Sequence, residues 1–141
     1  CIRDSCNKYE NYFYPATFNN FSARMDWAKD GKGNINPIIK IDGDTSLNII
    51  TKKAKQGTTI SIDASASSDP DGDTLNYKWW IQPEAGTYNG TINILNSNTS
   101  KVIINIPSNS AGKNFHIICE VTDDGSPQLT SYRRIIVEPT K

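Results

Sequence analysis

The sequence predicts an all-β fold, an antiparallel β-sandwich of seven or eight short strands preceded by a short N-terminal helix and a linker. Three observations carry that expectation. From Pro37 onward, apolar and polar residues alternate with period two, the spacing of strands with one buried face. The alternating runs are short and are separated by turn signals at Asp42-Gly43, Gln56-Gly57, Asp71-Gly72, Asn89-Gly90, Gly112 and Asp124-Gly125, as hairpin-connected strands require. Hydrophobic residues make up 36% of 141 residues, enough for a single core.

The first element differs from the rest. Residues 1–17 are polar and aromatic without a period, whereas Phe18, Phe21, Met25 and Ala28 recur at helical spacing and are followed by Asp30-Gly31. That pattern predicts a short amphipathic helix over 18–29. Lys29 to Asn34 reads as a linker, which divides the chain into an N-terminal segment, 1–34, and a sandwich, 35–141.

Strands are expected at 37–42, 46–51, 58–64, 74–82, 91–95, 101–106, 114–122 and 130–138. Alternation turns Ile60, Ile62 and Ala64 inward on the third of these, and Leu75, Tyr77, Trp79 and Ile81 inward on the fourth. Val102, Ile104 and Ile106 follow on the sixth, then Phe115, Ile117, Cys119 and Val121 on the seventh. Trp79 opposite Cys119 matches the central tryptophan of an immunoglobulin-like core. An isoleucine faces Cys119 from strand 58–64, so the inter-sheet disulfide of antibody domains is not expected.

Charge and composition exclude several functions. Fifteen lysines and arginines balance fifteen aspartates and glutamates, for a formal net charge of zero and a pI near 6.8. Nucleic-acid binding needs a basic surface, and adhesion to anionic lipid needs a polybasic cluster; neither is present. Apolar runs do not exceed three residues, as at Trp79-Trp80-Ile81, so membrane insertion is not expected. A single histidine poorly supplies a triad or a zinc site. Of three cysteines, Cys119 reads as a small buried hydrophobe. Cys1 and Cys6 would close a short disulfide loop, or Cys1 would carry a lipid anchor.

Two constellations stand out. Asp69, Asp71 and Asp73 alternate in Asp69-Pro70-Asp71-Gly72-Asp73. Their oxygens would either converge on calcium or cap a tight turn, for which Asp-Pro and Asp-Gly are suited. The spacing is not that of an EF-hand loop, because the twelfth residue is Trp80. The second constellation is the outward face of the strands at 74–82, 114–122 and 130–138. It carries Lys78, Trp80, His116, Ile118, Glu120, Tyr132 and Arg134, with Ile136 beyond them. A solvent face this apolar needs a covering partner. The occupants are the helix folded back with Phe21, Met25 and Trp27, an upstream domain, or a sugar stacked on the rings. His116 is expected at a surface or interface, without a catalytic role.

The run Asp63-Ala64-Ser65-Ala66-Ser67-Ser68-Asp69-Pro70-Asp71-Gly72-Asp73-Thr74-Leu75-Asn76-Tyr77-Lys78-Trp79 and the final hairpin Val121-Thr122-Asp123-Asp124-Gly125-Ser126-Pro127 resemble the polycystic-kidney-disease (PKD) type immunoglobulin-like repeats of secreted and surface proteins. Phe21 to Trp27, Gly112 to Gly125 and Tyr132 to Val137 narrow the likeness. They resemble the C-terminal domain of bacterial proteins described as cellulose-binding, in which a nucleoside-hydrolase-like domain lies upstream. One departure is visible: Asn34-Ile35-Asn36-Pro37 stands where a His-Pro-Pro or Asn-His-Pro entry to the first strand is expected.

The resemblance implies an immunoglobulin-like, PKD-like sandwich that is a non-catalytic accessory module, secreted, periplasmic or cell-surface. Its partners would be the upstream hydrolase-like domain and polysaccharide. Its alternative is a spacer or adhesion module stiffened by calcium at Asp69, Asp71 and Asp73, with no ligand of its own. No cofactor other than calcium is implied.

Overall fold

The computed structural model describes residues 2–141. The readings that rest on Cys1, a disulfide to Cys6 and a lipid anchor, lie outside the described residues. The elements are α1 (Ile2–Asp30), β1 (Ile50–Lys55), β2 (Thr59–Asp63), β3 (Asn76–Gln82), β4 (Asn93–Leu95), β5 (Lys101–Asn105), β6 (Phe115–Thr122) and β7 (Thr130–Thr140). A four-stranded sheet has the order β1-β7-β6-β3 and a three-stranded sheet the order β2-β5-β4.

The inner faces of both sheets share one core. Ile62, Val102 and Ile104 come from the smaller sheet, and Trp79, Phe115, Ile117, Cys119, Val121, Ile135 and Val137 from the larger. These are the positions that period-two alternation turns inward, and each large side chain withdrawn from water favours folding by roughly 1.5–3 kcal/mol. The β3–β6 register places Trp79 opposite Cys119, as expected, and the Trp79 indole donates to the Thr99 carbonyl at 2.9 Å.

Four expectations need correction. The fold is mostly β rather than all-β, because the helix extends over 29 residues, Ile2–Asp30, with Pro15 inside it; its N-terminal half gains from the sheet what local periodicity does not show. The expected strand 37–42 forms only the isolated bridges Ile38–Ser68 and Ile41–Asp44. Ile39 and Ile41 are nonetheless buried, so their alternation reports an extended segment laid on the core. Strand 46–51 is displaced to Ile50–Lys55, since Leu47 and Ile49 point to solvent and the chain first turns at Asp42-Gly43, where both residues take positive φ. Finally, β1 runs parallel to β7, so the larger sheet is mixed. Elsewhere the ladders are antiparallel.

Candidate functional site

The ladders arrange the outer face of the larger sheet in rows. Trp80, Ile118 and Arg134 lie side by side, as do Lys78, Glu120 and Tyr132, and Gln82, His116 and Ile136. The seven residues singled out from alternation therefore do share one face. Its cover is α1, seated by its N-terminal half. Phe13 meets Tyr132 edge-on with centroids 5.1 Å apart, and Trp80 is surrounded by Tyr9, Tyr12 and Phe13 at 6.2, 5.4 and 6.2 Å.

Polar contacts fix the helix in register. The Tyr12 hydroxyl donates to Glu120 Oε2 at 2.6 Å and accepts from Lys78 Nζ at 2.9 Å. Glu120 Oε2 also accepts the Trp80 indole N–H at 3.2 Å. Tyr9 donates to Glu84, which pairs with Lys8 at 3.5 Å. Burial, with Glu84 beside it, pushes the Tyr9 phenol up to about 12, and burial with Glu120 raises Tyr12 further. Both phenols thus remain donors throughout the neutral range. The covering residues are not the expected Phe21, Met25 and Trp27, which are exposed; Trp27 instead turns its indole to the Asn34 carbonyl at 3.3 Å.

His116, expected at a surface or interface, lies on this outer face and is buried there. Its Nδ1 has no hydrogen-bond partner, and burial together with the Arg134 charge holds its pKa below the ordinary histidine value. Among the described residues no carboxylate orients it, so the arrangement lacks a base–orienter pair.

Part of the face remains open. A groove of about 390 Å³ lies between α1 and the segment 47–49. Trp80, Tyr132, Phe13 and Ile118 are among its apolar lining residues, and Asn48, Gln82 and Arg134 among its polar ones. Arg134 donates to the Gln82 amide oxygen at 3.2 Å. Its neighbour Arg133 also lines the groove and is buried, reaching Asp44 at 3.3 Å and Ser46 at 3.1 Å. Rings beside amide and guanidinium donors can stack on an apolar sugar face while bonding its hydroxyls.

The aspartate cluster forms at the far end of the sandwich. Carboxylate oxygens of Asp69, Asp71 and Asp73 lie within 4.8 Å of one another. Asp69 Oδ1 accepts the backbone N–H of Asp71 at 2.8 Å and of Asp73 at 3.3 Å, while its buried Oδ2 has no partner. Asp71 Oδ2 accepts from Ile35 N–H at 2.7 Å. Two oxygens therefore hold the turn, and an orphaned oxygen remains that a hard cation would satisfy.

Sequence reasoning missed the hub beside it. Asp123, fully buried, accepts from the backbone of Gly125 at 3.1 Å and Leu129 at 2.9 Å and from Asn34 Nδ2 at 3.0 Å. Asn34 also donates to the Pro127 carbonyl at 2.9 Å. The position that departs from the expected entry motif thus ties the linker to the last hairpin. Gly125 allows this close approach, because a Cβ there would strike the Asn34 and Asp73 side chains.

Residues 59–139 match the family described as the C-terminal domain of cellulose-binding protein Sde0182, more than half of the chain. The chain belongs to this family. It is also 40% identical, with a TM-score of 0.90, to a nucleoside hydrolase-related hypothetical protein from Saccharophagus degradans that is associated with carbohydrate metabolism. That match covers 92% of this chain and 32% of the other, so the Sde0182-type chain spans about a third of the relative. Human CDH23 EC21–23 matches 74% of this chain and 33% of its own at 17% identity and a TM-score of 0.51, a likeness of fold alone. The PKD domain of the KIAA 1837 protein covers 66% of this chain and 82% of its own at 18% identity and a TM-score of 0.43. No curated protein matches. No helix among the described residues is long and apolar enough to cross a membrane.

Proposed function

We propose that this chain is a PKD-type, immunoglobulin-like accessory domain, without catalysis of its own, of a secreted, periplasmic or cell-surface nucleoside hydrolase-related protein. It docks to the hydrolase-related part of the same polypeptide and binds polysaccharide in the groove between α1 and residues 47–49. The observation that carries the binding reading is the groove itself, lined by three aromatic rings together with amide and guanidinium groups. Its volume, about 390 Å³, falls within the range of small-ligand sites, about 300–1,000 Å³. Residues 1–34 act as the connector between the two parts.

The test is a titration with cello-oligosaccharides followed by calorimetry. Asn48→Ala is expected to weaken binding severalfold, the loss of one hydrogen bond from the groove, while leaving the melting temperature within a few degrees, because Asn48 is exposed. Heat signals absent for the wild-type chain with both cello- and xylo-oligosaccharides would remove the polysaccharide reading.

A second reading is favoured by the orphaned Asp69 Oδ2. In it Asp69, Asp71 and Asp73 hold calcium, which stiffens the turn between β2 and β3 as in a spacer or adhesion module. Calcium would supply charge neutralisation and cross-linking of the turn; the residues themselves already set its backbone.

A further inference from the structure

Helix α1 carries two apolar stripes. The inner one, at Tyr9, Phe13, Ala16 and Ala23, faces the sheet and is buried or half-buried. The outer one consists of Tyr14, Phe18, Phe21 and Met25, with 64, 57, 60 and 54% of each residue exposed. Their spacing of four, three and four residues places them along one line, roughly 150° around the helix from the inner stripe at 100° per residue. Tyr14 and Phe18 already stack on each other at 6.3 Å. A surface helix buries one stripe and wets the opposite face; a helix apolar on both sides is built to lie between two bodies.

We infer that this outer stripe is the seat of the nucleoside hydrolase-related part of the same polypeptide. The inference rests on the accessory-domain reading and adds the surface through which it acts. With 92% of this chain matched, the likeness to the Saccharophagus degradans protein reaches well into the 29-residue α1, and about two thirds of that relative lies outside the match. The stripe is thus presented by the segment that leads into the sandwich, on the side the sandwich leaves free. Four such side chains expose roughly 450 Å², the size of a patch that marks an interaction site. Self-pairing of two copies through it would bury about 900 Å², below the roughly 1,200 Å² of a stable dimer. A tethered domain needs less area, because the linker already removes most of the cost of association.

Met25 is the chain's single methionine and reports on the stripe through its oxidation to sulfoxide. In the full polypeptide treated with peroxide, peptide mass spectrometry is expected to show Met25 oxidising about tenfold or more slowly than free methionine. Phe18→Asp with Phe21→Asp should restore the free rate and leave the melting of the sandwich unchanged, since both side chains point away from it. Met25 oxidising at the free rate in the wild type overturns the inference. Small-angle scattering then separates the two readings: a compact two-part particle keeps docking but moves its seat, and independent tumbling removes both. Protection that disappears on dilution together with a dimer by light scattering also overturns the inference, in favour of a second copy.

Discussion

Asp73 lies beside four other carboxylates, and burial, followed by the charges of Asp69, Asp124, Asp123 and Asp71, raises its pKa. The folded chain therefore binds this proton more tightly than the unfolded chain does. Stability from this group declines as pH rises from the ordinary carboxylate value through the raised one, and is level above it. A divalent cation would reverse that loss. At neutral pH, calcium about a hundredfold above its Kd is expected to raise the melting temperature by roughly 5–10 °C over EDTA. The gain should vanish on acidification, and equal melting in calcium and EDTA at neutral pH would leave Asp69, Asp71 and Asp73 as a turn. These three were legible because the turn that joins them is local in sequence. Asp123 and Asn34 were not, since their bond spans 89 residues and no periodicity signals it. Cys119 was legible for the opposite reason: strand alternation alone buries it, and burial pushes its thiol up to about 12.

At the scale of elements, β7 follows the alternation closely, because one of its faces lies on the core; β6 does so only from Cys119 on, since Phe115 to Cys119 are all buried. Helix α1 does not, for two reasons. Its apolar residues fall on two sides, which blurs any single stripe, and Pro15 reads locally as a breaker costing about 3 kcal/mol. Contacts far along the chain, from Tyr9, Tyr12 and Phe13 to Trp80, Glu120 and Tyr132, outweigh that local signal. Phe13→Ala is therefore expected to cost about 1–3 kcal/mol and to speed amide exchange throughout residues 5–20 more than in β6. Exchange in α1 equal to that of the wild type would show that the helix does not depend on this seat. The sequence reading placed Trp80, Glu120 and Tyr132 on one face and weighed the helix, an upstream domain or a sugar upon it. The helix lies there through Tyr9, Tyr12 and Phe13 rather than Phe21, Met25 and Trp27.

For the whole molecule, a count of seven or eight strands could be read from punctuation and alternation, and the adjacency of β3, β6 and β7 from the likeness to an immunoglobulin-like sandwich. The parallel β1–β7 edge could not, since β1 is mostly lysine and threonine and its partner lies at the other end of the chain. That long-range edge makes β7 an inner strand: it bonds to β1 on one side and β6 on the other, and Ile135 and Val137 on it belong to the core. Synthesis on the ribosome runs from the N-terminus at about 5–20 residues per second, so the strand that closes the larger sheet emerges after the other strands of the domain. Until Thr130 to Thr140 clear the exit tunnel, β1 has no neighbour and α1 lacks Tyr132 from its seat. Stalled nascent chains ending before Thr130 should be digested rapidly by protease, and those that expose Thr140 should resist; early resistance would mean that β3 and β6 fold without β7. The domain thus locks only when its own last strand has emerged, after its other strands have already left the tunnel.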